Sequence, residues 1–342
     1  KKMKKFNNKK PYIIAEIGVN HNGSIEIAKR LIKHAKVNNF NAVKFQTYLP
    51  NKLLLKNTPL VNYQKGNKNV KNMYELLKKY QISFNQFAYL KDFCDKLKIE
   101  FLSTPFDIES ALFLHRLKIP IFKISSTDND NFLLLEVIKK FKKPILLSLG
   151  MIEEKNLKKT LNFLKIKKDM LCLMHCISNY PTELKDTQFG YFEKLKKFKY
   201  PLGWSDHTKG NIASTSAVAL GAVVVEKHIT LDNNMVGPDH KASMNVKNLK
   251  KFTENIHDIF LSIKTLSRKI DTKENQVKKL AKKSLYYVSN LNKGEIIKES
   301  NLQALRPRAN GISPNQILKI RGKKLIKNVK KDFLISLKHL KN

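Results

Sequence analysis

With 342 residues, 42% of them hydrophobic and 9% aromatic, the chain can fold one large domain and a small one, and disorder is set aside. No run of about 18 apolar residues occurs, and the basic opening Lys1–Lys10 lacks the apolar core of a signal peptide, so we expect a cytoplasmic protein with no membrane partner. The formal net charge of +38 is carried almost wholly by lysine, arginine standing only at positions 30, 116, 268, 306, 308 and 321. Spread over every amphipathic segment without interleaved aromatics, that charge reads as a solvated surface and not as a nucleic-acid footprint. It still favours anionic substrates. Cys94, Cys172 and Cys176 make no disulfide framework and read as small core residues in a reducing compartment.

In chain order, Tyr12–Ile17 is a short apolar run followed by the loop Asn20-His21-Asn22-Gly23, after which Ser24 can cap a helix over 25–37. Ala42–Gln46 repeats the pattern of a strand ending in polar groups. Residues 49–80 form a Lys/Asn-rich excursion without strand signals, expected to be a mobile insertion over a site. Helix 84–97 then precedes strand 101–104, helix 108–117 precedes 121–126, helix 131–141 precedes 145–148, and helix 154–165 precedes 171–176. Strands near 202–205 and 223–228 follow, with a closing helix near 247–265. Eight apolar, non-alternating strands imply burial on both faces, hence a parallel sheet closed into an (β/α)8 TIM barrel over residues 1–265. Residues 266–282 read as a linker, and 283–342, rich in short β-like runs with Gly and Pro, as a small, mostly β domain that docks on something.

A barrel gathers its strand ends at one mouth. Here that collects Glu16, Lys44, Gln46, Ser103, Thr104, Lys123, Ser125, Ser126, Ser148, Tyr180, Ser205, Asp206, His207, Glu226 and His228. Two lysines with several hydroxyls suit a phosphate or carboxylate. His207 and His228 suit a divalent metal such as Mn²⁺, Fe²⁺ or Zn²⁺ with positions left open for water or a substrate oxygen. Glu16 suits proton transfer. Together these suggest carbonyl polarisation coupled to a phosphorylated partner.

The segments Ala15–Gly23, Val43–Thr47, Ser103–Asp107, Ser205–Thr208, Glu226–His228 and Gly237–Ser243 resemble those of bacterial sialic acid synthases, which make N-acetylneuraminate or close nonulosonates such as legionaminate. Arg306–Ile312 is similar to the motif of their C-terminal antifreeze-like (SAF) domain. The resemblance spans nearly the whole chain. It implies condensation of phosphoenolpyruvate with an open-chain N-acylated amino sugar, either N-acetylmannosamine or a 6-deoxy diacetamido analogue. It also implies His207 and His228 as ligands of a divalent metal, Mn²⁺ foremost with Mg²⁺ or Co²⁺ as alternatives, and Glu16 as the proton carrier. Lys44, Thr104, Lys123, Ser126, Ser148 and Ser205 match the phosphoenolpyruvate pocket, and Gln46, Tyr180 and Asp239 match sugar contacts. Arg306 would reach the N-acyl group from the partner of a domain-swapped homodimer.

The chain departs from the pattern in places. Asp128 stands where glutamate is frequent at a sugar contact, Ser178 where asparagine can meet phosphoenolpyruvate, and Leu149 where threonine is frequent. The His240–Ser243 stretch differs from the pseudaminate branch. Two other readings compete: a keto-deoxy-octulosonate or heptulosonate type of condensing enzyme, disfavoured by the SAF-like region and the Asn20–Gly23 loop, and a basic nucleic-acid-binding protein.

Overall fold

The computed structural model describes residues 6, 10–60, 70–264, 267–308 and 310–341. Most of the basic opening segment, residues 61–69 of the excursion, and Ala309 of the C-terminal motif lie outside the described residues. The chain divides into two compact units, Lys1–Lys264 and Thr265–Asn342.

The first unit is the expected barrel. Eight parallel strands follow one another: β1 (Tyr12–Gly18), β2 (Ala42–Thr47), β3 (Glu100–Pro105), β4 (Phe122–Ile124), β5 (Ile145–Ser148), β6 (Leu171–His175), β7 (Leu202–Asp206) and β8 (Ala222–Thr230). Each pairs with the next, and β1 pairs back onto β8 with Ile14 opposite Glu226 and Glu16 opposite His228, so the sheet closes. The short β9 (Met244–Asn245) pairs in parallel with the end of β8.

Strand parity decides what faces the axis. Ile14, Ala42, Leu102, Leu146, Cys172 and Val224 form an inner apolar plug, while Ile13, Ala15, Val43, Phe45 and Phe101 pack outward under the helices. Each fully buried Val, Leu, Ile or Phe among them contributes roughly 1.5–3 kcal/mol. One pleat above the plug the inward positions turn polar. The apolar run ends there, and the chemistry begins.

The outer layer comprises α1 (Ile25–Val37), α2 (Pro50–Leu53), α3 (Met73–Tyr80), α4 (Phe84–Leu97), α5 (Ile108–Arg116), α6 (Phe132–Lys140), α7 (Glu154–Leu164), α8 (Tyr191–Lys196), α9 (Ile212–Ala219) and α10 (Leu249–Ile263). Helix α1 starts where Ser24 accepts the Ile27 amide, and buries Ala28, Leu31, Ile32 and Ala35 on one stripe. Ser83 and Gln86 form a capping box for α4, and Asp107 caps α5. In the excursion, Leu76 and Tyr80 of α3 pack with Val19 and Tyr48, so its described part is anchored beside β1 and β2. Every connection that returns from helix to strand turns through one residue of positive φ: Asn39, Lys98, Lys118, Lys142, Lys165, Lys199 and Gly221.

The second unit holds α11 (Thr272–Ala281), an antiparallel pair β10 (Ser284–Tyr287) and β11 (Leu302–Leu305), and a second pair β12 (Lys324–Leu325) and β13 (Leu340–Lys341). Its own core is built from Leu285, Tyr287, Ile297, Ile320, Leu325 and Ile335. Most of the stretch read as a linker is the lysine-rich helix α11, started by Asp271 accepting the Glu274 amide. Among the described residues no helix is long and apolar enough to cross a membrane.

Candidate active site

Inward-facing side chains from six strands meet just above the apolar plug. Lys44 Nζ on β2 lies 2.7 Å from Glu16 Oε2 on β1 and donates to Thr104 Oγ1 on β3 at 3.0 Å. Glu226 on β8 joins the far side: its Oε1 lies 2.7 Å from Lys123 Nζ on β4 and 3.7 Å from Lys44 Nζ, and accepts from Ser205 Oγ at 2.9 Å. All six side chains are almost fully buried. Two ammonium groups and two carboxylates therefore share a small, dry volume.

Burial lifts the Glu16 carboxyl to about 7; Lys44 pulls it down and Glu226 pushes it up, without restoring the ordinary value. Burial works on Glu226 in the same direction, yet Lys123 and Lys44 overcome it and hold this carboxyl at about 2. Burial disfavours the Lys44 charge, but its two carboxylate neighbours keep its pKa above the usual lysine value. The pair is thus differentiated: Glu226 is a fixed anion between two lysines, while Glu16 is poised to exchange a proton near neutrality.

The imidazoles stand beside this cluster. His207 follows β7 and His228 lies on β8; their ring centroids are 5.7 Å apart, and the Tyr180 ring lies tilted 4.1 Å from the first and edge-on 6.2 Å from the second. Burial holds His207 at about 4, so it carries one proton, which Nδ1 donates to the Ile177 carbonyl at 2.6 Å. Nε2 is left as the lone-pair nitrogen, a tautomer suited to ligation. His228 is held well below the usual histidine range by burial and by the neighbouring His207 and Lys44. Its Nδ1 has no hydrogen-bond partner among the described residues and lies 3.9 Å from Asp239 Oδ2. Burial raises that aspartate to about 6.

Two neutral imidazoles with free lone pairs fit a divalent cation. Among the described residues no three His, Cys, Asp or Glu side chains converge on one point, so the remaining positions would fall to water and substrate oxygens.

A second focus lies at Gly150, after β5. A methyl there would sit 2.2 Å from Ser178 Oγ and 2.6 Å from Ser126 Oγ, so glycine leaves room where two hydroxyls converge. Among the described residues Ser178 Oγ is buried without a partner, as are Glu16 Oε1 and Glu226 Oε2. Unsatisfied buried polar atoms are costly, and their concentration here marks a surface shaped for a polar ligand. Ser148 is buried at the end of β5. Gly18 approaches Glu16, His228 and Gln46 together, with a hypothetical Cβ 3.2–3.5 Å from each.

Other expected residues are placed differently. Asp128 turns its carboxylate into its own loop, accepting from Ser125, Thr127 and Asn131. Arg306 is exposed on the second unit. Ser103 and Asp206, gathered above as mouth residues, point outward by strand parity. Ser103 bonds Thr47, and Asp206 forms a buried pair with Lys227 (2.9 Å) while accepting from Ser214 of α9. Ser125, likewise gathered, serves the Asp128 loop. Glu226 is one of the strand-end residues for which the sequence suggests no role in the site, although it shares the inward parity of His228 on β8.

Residues 31–268 match the NeuB family, and residues 282–341 match the SAF domain. The chain is 39% identical over 332 residues to an N,N'-diacetyllegionaminic acid synthase of Campylobacter jejuni, covering 96% of this chain and 99% of the relative. It is 35% identical to another of that name from Legionella pneumophila, covering 96% and 94%. The fold is similar to the crystal structure of an N-acetylneuraminic acid synthetase from Leptospira borgpetersenii in complex with citrate. There the TM-score is 0.69 and the identity 31%, with 79% of this chain and 90% of that one covered.

Proposed function

Because the chain belongs to the NeuB family, we propose that it condenses phosphoenolpyruvate with the open-chain aldehyde of an N-acylated amino sugar, giving a nonulosonic acid and phosphate. The observation that carries this is the buried Glu16–Lys44–Glu226–Lys123 cluster lying beside two neutral imidazoles. Lys44 and Lys123, with Thr104 and Ser205, hold the phosphate and carboxylate of the enol substrate by charge-assisted hydrogen bonds. Ser126, Ser148 and Ser178 add hydroxyl donors around Gly150. The sugar lies toward Gln46, Tyr180 and Asp239.

His207 and His228 would hold a divalent cation, Mn²⁺ in our reading, which supplies Lewis-acid polarisation of the aldehyde. The enol carbon bonds to the aldehyde carbon, whose oxygen becomes the new hydroxyl. Water adds at the cationic carbon left behind, losing a proton to Glu16, and C–O cleavage then releases phosphate. We assign the sugar to the 6-deoxy diacetamido class. Two relatives bear the N,N'-diacetyllegionaminic acid synthase name, and the Asp128 carboxylate, already taken by three donors, offers little to a more hydroxylated sugar.

Phosphate release with manganese tests the reading: the 6-deoxy diacetamido sugar should be preferred to N-acetylmannosamine. No release with either sugar would refute the condensation. His207→Ala should lower the rate by roughly 100-fold or more, the range set by loss of a Lewis acid. Unchanged turnover in that variant would remove the metal assignment.

The working form in this reading is a homodimer, in which the partner's small unit brings an arginine to the mouth. Apolar side chains on the mouth side, Leu55, Met151 and Val236 in loops and Leu133 in the first turn of α6, are 69–83% exposed and would be covered there. A fully active monomer in light scattering would contradict it.

A further inference from the structure

We propose that the base of the barrel, the face opposite the mouth, docks on a bilayer rich in anionic phospholipid. The seven helix-to-strand connections all lie on this face, because strands of a parallel barrel share one direction. Each contains one residue of positive φ, a conformation that favours glycine or asparagine. Five of the seven are lysine: Lys98, Lys118, Lys142, Lys165 and Lys199. With the six arginines set apart from the 66 basic residues, lysine is about one residue in six along the chain, so composition alone predicts one such position.

All five are exposed, and none makes an ion pair among the described residues. Carboxylates on this face are fewer and partly engaged, with Asp169 exposed on the Lys165 connection. Asp95 is paired with Lys91, and Glu100 accepts the Tyr12 hydroxyl. Lys98 and Lys118 also line a cleft of about 670 Å³ with Lys36, Asn39 and Asn41, large enough for a phosphate headgroup.

The form of the charge selects the partner. The five lysines stand on adjacent connections around a barrel rim, so they can meet a plane together, whereas a linear polymer would follow only part of that arc. Base recognition uses arginine forks and open aromatic platforms; within two residues of these turns Arg116 is the one arginine, and the flanking Phe141, Phe198 and Tyr200 are half-buried. Peripheral attachment by lysine needs no apolar span, so it is compatible with the absence of one among the described residues. The mouth would face away from the membrane and stay open to substrates.

Sedimentation of the full chain with vesicles tests this, comparing phosphatidylcholine alone with mixtures containing phosphatidylglycerol. Binding should require phosphatidylglycerol and weaken with salt. The triple variant Lys118→Gly/Lys142→Gly/Lys165→Gly keeps backbones compatible with positive φ, so its melting temperature should not fall. Its partitioning should drop by roughly 5-fold per lysine, on the order of 100-fold in all. A control, Lys155→Gln/Lys250→Gln/Lys251→Gln, removes the same charge from the mouth-side ends of α7 and α10 and should bind nearly as wild type. Phosphate release should be unchanged in both variants, which separates this test from that of the catalytic reading. Equal loss in the control would show diffuse charge only, and failure to bind phosphatidylglycerol vesicles, or retention on RNA instead, would overturn the proposal.

Discussion

Glu16 and Glu226 are the same residue type in the same dry volume, and their neighbours decide their roles. Each ammonium within reach stabilises a carboxylate, and Glu226 has two where Glu16 has one. In the proposed reaction Glu16, at about 7, must be ionised to take a proton from water, so kcat/KM should fall below pH 7 with unit slope as the free enzyme is protonated. The charge on Glu226 raises the Glu16 value, so Glu226→Gln should move that limb to lower pH even as it weakens phosphoenolpyruvate binding. A limb that stays in place would mean Glu16 is not the titrating base. The place of Glu16 inside the barrel was legible because a carboxylate ending an apolar strand is conspicuous. That of Glu226 was not, since Glu226-Lys227-His228 presents three polar residues in a row and only strand parity separates the inward pair from outward Lys227.

Among the elements, two loops far apart in sequence are fastened over the site. Asn20 Nδ2 donates to the Ile229 carbonyl, next to His228, and to Ser243 Oγ, which in turn donates to the Asp239 carbonyl. Asn22 and His240 close the same seam. Asn20 is a positioning residue: it touches no reacting atom but fixes the loop that carries Asp239. Asn20→Ala removes two buried hydrogen bonds, costing on the order of 2–3 kcal/mol. Steady-state kinetics should show KM for the amino sugar rising with KM for phosphoenolpyruvate little changed. Equal changes in both would point to general loosening of the barrel. The strands and long helices behind these loops were readable because their apolar period is unambiguous. Helices α3 and α11 were not: short and rich in lysine, they resemble solvated loops, and only the caps Asn72 and Asp271 betray them.

For the whole molecule, counting eight apolar runs was enough to specify a closed barrel, because closure lets every strand be buried on both faces. Sequence period carries no dielectric information, however, and the state of buried groups emerges only from packing. His21, His207 and His240 are held at about 3, 4 and 4 by burial, and His228 lies well below its ordinary value. Their folded values lie below the unfolded one near 6.5, so the stability they contribute is present above pH 6.5 and is lost as pH falls toward 4. Glu16 and Asp239, raised to about 7 and 6, act in the opposite sense: their contribution is full below pH 4 and is lost as pH rises through those values. Between pH 6 and 5 the unfolded chain therefore takes up protons at four imidazoles, while the folded chain already holds them at two carboxyls. At about 1.4 kcal/mol per proton per pH unit, the histidines win, by at most roughly 3 kcal/mol per unit. The added positive charge on a chain already at +38 acts in the same direction. Urea unfolding of the metal-free protein should give midpoints that decrease steadily from pH 6.5 to 4.5, and a flat or rising series would show that the imidazoles at the mouth are not kept neutral by the fold.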